Sequence, residues 1–312
     1  MSSKICIAML NTDTPVPIVR PRFDTYGQMF NELLVAAASR ICPTADIQST
    51  YHDVVQLEYP ESLVDVDVVL VTGSVASAYD DMEWIRRLDR YLLDVYIRHP
   101  RVKLFGSCFG HQMICQSLLR NYGVRVEKDP QGWELGVREI KIEDNFRKAL
   151  GQRSRIPLDP QFAGETPDTI RIQFIHADHV KIPEPDAIPE QWLMLGKTKH
   201  CTVQGVYEPG RVLTMQGHFE FDRWVSTENM KVFGATWNED VLEQTFRCID
   251  ADDDSEAAAE MVLRFILEEE AYETTDEVVT GLLTPPRDKS EVRRECTITI
   301  GHRVGDMYNG RG

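Results

Sequence analysis

The residues of this 312-residue chain best suited to chemistry are Gly106-Ser107-Cys108-Phe109-Gly110-His111-Gln112. They follow a short apolar run at 103–105 and precede a helical pattern over Phe109–Leu119. A cysteine between two glycines in that setting reads as a nucleophile elbow, with cysteine in place of serine. The glycines permit a tight strand-to-helix turn and hold the central residue in a strained backbone. Cys108 then stands at a helix N-terminus, where free N–H groups and the helix dipole favour the nucleophilic thiolate. The N–H of Phe109 points to where an oxyanion would develop. A cysteine merely buried in a glycine turn is the plainer alternative.

A thiolate needs a base, and one is offered far downstream in Met215-Gln216-Gly217-His218-Phe219-Glu220-Phe221, after an apolar run over Val212–Met215. Residues two apart on extended chain face the same side, so His218 and Glu220 can converge. The carboxylate would then fix the imidazole tautomer and stabilise its cation. A second oxyanion donor is expected from Thr72-Gly73-Ser74, the turn that closes the apolar run at 66–71.

The order Thr-Gly-Ser, Gly-x-Cys-x-Gly-x-Gln, Gly-His-x-Glu resembles the class I glutamine amidotransferases, in particular the glutaminase unit of GMP-synthase type. The resemblance runs from about Ile5 to Glu220 and includes Asp81-x-x-Trp84. It implies a flavodoxin-like α/β fold with a mostly parallel sheet and flanking helices. It also implies a Cys–His–Glu triad at Cys108, His218 and Glu220, and oxyanion amides at Gly73, Ser74 and Phe109. Gln112 would bind glutamine, and the His176-Ala177-Asp178 turn is similar to the family's His-x-Asp turn, which puts His176 and Asp178 beside the substrate. The activity implied is cleavage of the glutamine side-chain amide through a thioester, with no cofactor and no metal. The chain has no nucleotide-binding loop, so ammonia would pass to a separate synthetase. The alternatives are a stand-alone γ-glutamyl peptidase acting on glutathione-like compounds, or a non-catalytic scaffold.

Two rival chemistries can be weighed on the residues. His176, His179, His218, Glu220 and Cys108 contain enough ligand types for zinc, but elbows seldom double as metal sites. A cysteine α/β-hydrolase would place its acid before its histidine, whereas Glu220 follows His218. His200 and Cys201 are adjacent, and on a strand they would face opposite sides. His111 is assigned to a helix surface or pocket lining, Cys115 to the core, and Trp133 to packing or pocket lining, with packing preferred.

The elements that must position these groups alternate β-rich and helical runs, the signature of a parallel sheet with helices on its faces. Strands are expected at 5–10, 66–71 and 103–105, and helices at Tyr26–Ile41, 84–98 and Phe109–Leu119. From 124 to 215 the pattern is strand-rich, with runs at 137–142, 170–175, 192–195, 202–206 and Val212–Met215. The proline-bearing stretch 151–168 reads as a loop or insertion. Helices follow at 238–249 and Ser255–Leu267. The expected organisation is a glutaminase-like domain at 1–235, an acidic helical extension packed on it at 236–273, and a tail at 274–312.

Composition narrows the function classes. The chain carries 34 basic and 50 acidic residues, for a formal charge of −16. Fifteen of those acids lie between residues 239 and 277, opposed only by Arg247 and Arg264, and read as a solvated helical face. Such a surface argues against nucleic acid as ligand, since phosphate binding needs clustered Lys and Arg. No apolar run approaches the roughly 18 residues of a membrane span. The N-terminal apolar run is too short for a signal peptide. Seven scattered cysteines without a CxxC pair suit a reducing, cytoplasmic setting.

Overall fold

Continuous apolar runs become strands buried on both faces, which is what a parallel sheet covered by helices demands. The computed structural model describes residues 3–152, 154–159, 166–184 and 186–269. The expected tail at 274–312 lies outside them, as does part of the loop at 151–168.

The first half of the chain runs β1 (Ser3–Asn11), α1 (Tyr26–Ile41), β2 (Ala45–Asp53), β3 (Val68–Val71), α2 (Glu83–Arg98), β4 (Lys103–Ser107), α3 (Phe109–Leu119), β5 (Arg125–Lys128), β6 (Glu134–Ile142) and α4 (Asp144–Ala149). It continues through β7 (Thr169–His176), β8 (Asp178–Lys181), β9 (Leu193–Met194), β10 (Gly196–Lys197), β11 (Val206–Glu208) and β12 (Val212–Met215). Three helices close the described chain: α5 (Arg223–Phe233), α6 (Glu239–Ile249) and α7 (Ser255–Leu267).

Seven strands form the central sheet in the order β2-β1-β3-β4-β12-β11-β9. The first five are mutually parallel, and β11 and β9 add antiparallel at one edge. A three-stranded antiparallel sheet, β10-β6-β7, and the antiparallel pair β5-β8 complete it. This is the expected flavodoxin-like sheet with flanking helices.

Alternation along β1 and β3 sorts the two faces. Ile5, Ile7, Met9, Val68 and Leu70 pack into one core with α1, α7 and the inner side of β6 and β7. On the other face α3 runs close under β3 and packs on α2. Helix α1 starts on a capping box: the Thr25 hydroxyl accepts the Gln28 N–H and the Gln28 side chain answers the Thr25 N–H.

The acidic C-terminal helices differ from each other. Helix α6 buries little beyond Thr245 and Ile249 and presents its acids to solvent. Helix α7 buries eight residues, from Ala258 to Leu267, against α1 and the sheet. Its end is tied down by Glu268, whose carboxylate accepts Tyr207 O–H and the N–H groups of Gly151 and Gly210. Burial pushes the Glu268 carboxyl above the usual range, against the pull of those donors. Of the neighbouring acids, Asp254 pairs with Arg171, Glu260 with Arg40, and Asp250 and Asp252 with Arg223.

Sequence and structure differ at several elements. The run expected as a strand at 202–206 forms one only from Val206, because residues 198–201 make a turn and the chain reaches the sheet edge later. The strand expected at 192–195 is shortened to Leu193–Met194. Strands β2, β5 and β8 and helices α4 and α5 carry no strong apolar pattern and were not expected.

Candidate active site

The loops at the carboxyl ends of β1, β3, β4 and β12 meet, the usual place for a ligand in an open parallel sheet. Cys108 follows β4 with φ 51° and ψ −109°, so the strain of the elbow sits on the cysteine itself. The flanking glycines serve close approach. A Cβ on Gly106 would lie 2.5 Å from the Gly110 carbonyl, and one on Gly110 would lie 2.2 Å from the Val71 oxygen. The turn is fixed by Cys108 N–H donating to Met215 O at 2.9 Å and Gly110 N–H to Thr72 O at 3.1 Å. Phe109 opens α3, so its N–H has no intrahelical acceptor.

His218 comes just beyond β12, where its N–H donates to Gln173 O at 2.7 Å. Its Nδ1 lies 2.7 Å from Glu220 Oε1, both side chains buried. Phe219 between them points the other way and packs edge-on against Phe30 and Phe105. The expected same-side placement of His218 and Glu220 is therefore observed. The imidazole stacks on Phe221, centroids 4.3 Å apart and planes 7° from parallel. Burial opposes the imidazolium, but the Glu220 carboxylate and the Cys108 thiolate outweigh it and raise the His218 pKa. Its Nε2 has no hydrogen-bond partner among the described residues.

Gly73 closes the arrangement. A Cβ there would fall 2.9 Å from His218 Cε1 and 3.5 Å from Cys108 Cβ. The Gly73 carbonyl is turned away to accept the Thr12 hydroxyl at 2.8 Å. Ser74 sits next to it on the pocket wall, beside Asp13, which accepts the Val75 N–H at 3.0 Å.

These groups open into a cavity of about 380 Å³. The expected binding residues reach it with different duties. Gln112 donates its amide to Asp178 O and Gln216 Oε1, so it braces the far wall. His176 lines the cavity with both nitrogens engaged, Nδ1 with Asp178 O and Nε2 with the buried Glu134, each at 2.9 Å. Burial favours the protonated Glu134, but hydrogen bonds from His176, Thr198 and Gln204 prevail and keep its pKa below the usual value. Asp178 accepts Ser77 O–H and Tyr79 O–H, linking the turn after β3 to the turn after β7.

Several sequence expectations are corrected here. His111 is fully buried rather than on a surface or in the pocket, and it bonds Thr214 Oγ1 at 2.8 Å. Burial first, then His176, push its pKa down to about 3, so it stays neutral. Trp133 is 46% exposed at the cavity mouth and paired with Trp237, so of its two expected roles it takes the pocket-lining one. The five donors considered for zinc form no common ligand group among the described residues: His218 is held by Glu220, His176 by Glu134, and His179 stands against Asp129. His200 and Cys201 lie in a turn, so the argument from opposite strand faces does not hold for them.

Sequence reading also missed residues that only tertiary contact brings in. Tyr26 at the start of α1 lies 5.4 Å from the Phe221 ring, and burial pushes its hydroxyl well above the usual pKa. Asn229 of α5 is 1% exposed, lines the cavity, and has neither amide atom bonded among the described residues. An unpatterned helix carrying one asparagine gives no sequence signal.

Comparison with known proteins identifies the family and the fold. The family model described as glutamine amidotransferase class-I matches residues 23–232. The chain is similar to a glutamine amidotransferase-like protein of Schizosaccharomyces pombe, 28% identical over 84% of this chain and 98% of that protein. It is also similar to gamma-glutamyl peptidase 3 of Arabidopsis thaliana, 25% identical over 62% of this chain and 70% of that one. A glutamine amidotransferase structure from Thermotoga maritima shares the fold, with TM-score 0.56 and 15% identity over 84% of this chain and 98% of its own. With a family match over more than half its length, this chain belongs to the class I glutamine amidotransferases.

Proposed function

We propose that the chain hydrolyses the γ-glutamyl amide bond with Cys108 as nucleophile, His218 as acid and base, and Glu220 as the group that orients His218. The observation that carries this reading is the meeting of a left-handed Cys108 elbow with a His218–Glu220 pair bonded at 2.7 Å. The Cys108 thiolate attacks the side-chain carbonyl carbon, and the carbonyl electron pair moves onto oxygen. The N–H groups of Phe109 and of the Gly73-Ser74 turn stabilise that oxyanion. The C–N bond then breaks as the imidazolium gives its proton to the leaving amine. His218 next removes a proton from water, the hydroxide attacks the thioester, and the C–S bond breaks to restore the thiolate. Glu220 transfers no proton. Asn229 offers an unpaired amide to the α-amino and α-carboxylate groups of the glutamyl moiety, an environment in which an unbonded buried amide is costly.

Glutamine is the smallest substrate of this kind, and a larger leaving group is favoured by the cavity beyond Cys108, where Trp133, Ile175 and Phe233 supply apolar wall. The test compares kcat/KM of the purified chain for glutamine with that for γ-glutamyl dipeptides and glutathione conjugates. A tenfold preference for the larger compounds, about 1.4 kcal/mol of transition-state binding, supports a γ-glutamyl peptidase. Slow cleavage of glutamine alone supports an amidotransferase subunit awaiting a separate ammonia acceptor.

A further inference from the structure

Behind the pocket wall a second group of reactive side chains meets. Lys128 and Asp178 line the cavity, while the next residue along the chain from each, Asp129 and His179, does not. The Asp129 side chain is wholly buried, and no lysine or arginine pairs with it among the described residues. Its Oδ1 accepts the Gln131 N–H at 2.8 Å, whereas Oδ2 has no hydrogen-bond partner. His179 Nδ1 stands 3.3 Å from that oxygen and His200 Nε2 3.5 Å. Cys201, a free thiol 1% exposed, completes the group: one ligand atom each from Asp129, His179 and Cys201 lie within 4.8 Å of one another. A buried carboxylate with no full counter-charge costs several kcal/mol.

The surroundings hold these donors in place. Thr198 Oγ1 accepts the N–H groups of both His200 and Cys201, and itself donates to the buried Glu134. Gln131 reaches the His200 carbonyl at 2.6 Å, and Asp129 N–H the Ala177 carbonyl at 2.7 Å. Outer-shell bonds of this sort fix ligand orientation at metal centres. The donor set of carboxylate, imidazole and thiolate suits zinc; magnesium and calcium take oxygen ligands.

We propose that Asp129, His179 and Cys201 bind one zinc-type divalent cation, with His200 as the fourth ligand once its Nε2 leaves the Gly132 carbonyl, 3.2 Å away. A site closed by four protein ligands is structural. It staples the end of the β5–β8 pair to the 198–201 turn, and so steadies the wall that carries Lys128, His176 and Asp178. The inference is independent of the reaction proposed for Cys108.

The test uses full-length protein carrying Cys108→Ala, which removes the other thiolate–imidazole pair, stripped with a chelator and titrated with Co²⁺ and then Zn²⁺. One equivalent of cobalt is expected, with the intense visible bands of tetrahedral coordination and a thiolate charge-transfer band, displaced by zinc with a rise in Tm. Cys201→Ser should abolish the charge-transfer band, and Asp129→Asn and His179→Gln should each weaken binding at least tenfold, on the order seen when a metal site loses a supporting group. His179 is partly exposed, so its variant remains informative should Cys201→Ser fail to fold. No stoichiometric uptake, an octahedral spectrum without charge transfer, or unchanged affinity in His179→Gln would overturn the proposal.

Discussion

At the scale of single residues the account rests on what each group can and cannot do in its surroundings. Glu220 is one of the two charges that raise the His218 pKa, so the sign of its removal is fixed. The leaving amine needs imidazolium, and activity should fall as pH rises through the His218 pKa. In Glu220→Gln the imidazolium loses its neighbouring charge, its pKa drops, and the alkaline limb of the kcat/KM profile should move to lower pH. A limb that stays where it is would assign the acid to another group. Gly73 yields a steric prediction. A methyl group 2.9 Å from His218 Cε1 must displace the ring, so Gly73→Ala should lower kcat by at least about tenfold, roughly 1.4 kcal/mol, and leave Tm nearly unchanged. Equal losses of stability and activity would mean that Gly73 acts on the fold instead. Asn229→Leu should raise KM for glutamyl substrates several-fold with little change in kcat, as expected when uniform binding is lost. Steady-state kinetics on the soluble variant decides it.

At the scale of elements, the site depends on alternation along one short segment. Phe219 faces the core between Phe30 and Phe105 while its two neighbours, His218 and Glu220, face the cavity side. Phe219→Ala should cost about 3–5 kcal/mol in denaturant unfolding, and should reduce activity beyond the loss of folded protein. This alternation was legible in the sequence, as were the elbow at Cys108 and the boundaries of α1, α3, β12 and α7. All of these pair a strong apolar period with clear stop residues. Strand β2 was not legible, because it is an edge strand whose exposed positions include Asp46, Gln48 and Thr50. Helix α5 escaped notice for a related reason: it buries only Val225, Ser226, Asn229 and Met230, two of them polar. The order of the proposed Cys108, His218 and Glu220 triad could be read from types and spacing along the chain. Tyr26, Phe221 and Asn229 reach the same cavity through tertiary packing, which leaves no local mark. The acidity of the C-terminal stretch hid how apolar the buried face of α7 is, since net charge averages over both faces of a helix.

At the scale of the whole molecule, a parallel sheet gathers four loops at the carboxyl ends of its strands, and α7 locks the opposite side of that sheet to α1 through one continuous core. The described residues contain no helix long and apolar enough to cross a membrane. The six described cysteines are all free thiols, and among them Cys108 alone has the strained elbow geometry beside a histidine. That contrast gives the central claim its sharpest test. The purified chain, without any partner, is incubated with the glutamine-like electrophile 6-diazo-5-oxonorleucine and its intact mass is measured, followed by peptide mapping. The account predicts one adduct per chain, carried by the peptide containing Cys108, formed at a rate that glutamyl substrates slow and that His218→Ala abolishes. Absence of an adduct on folded protein, or one carried by another cysteine, would contradict it.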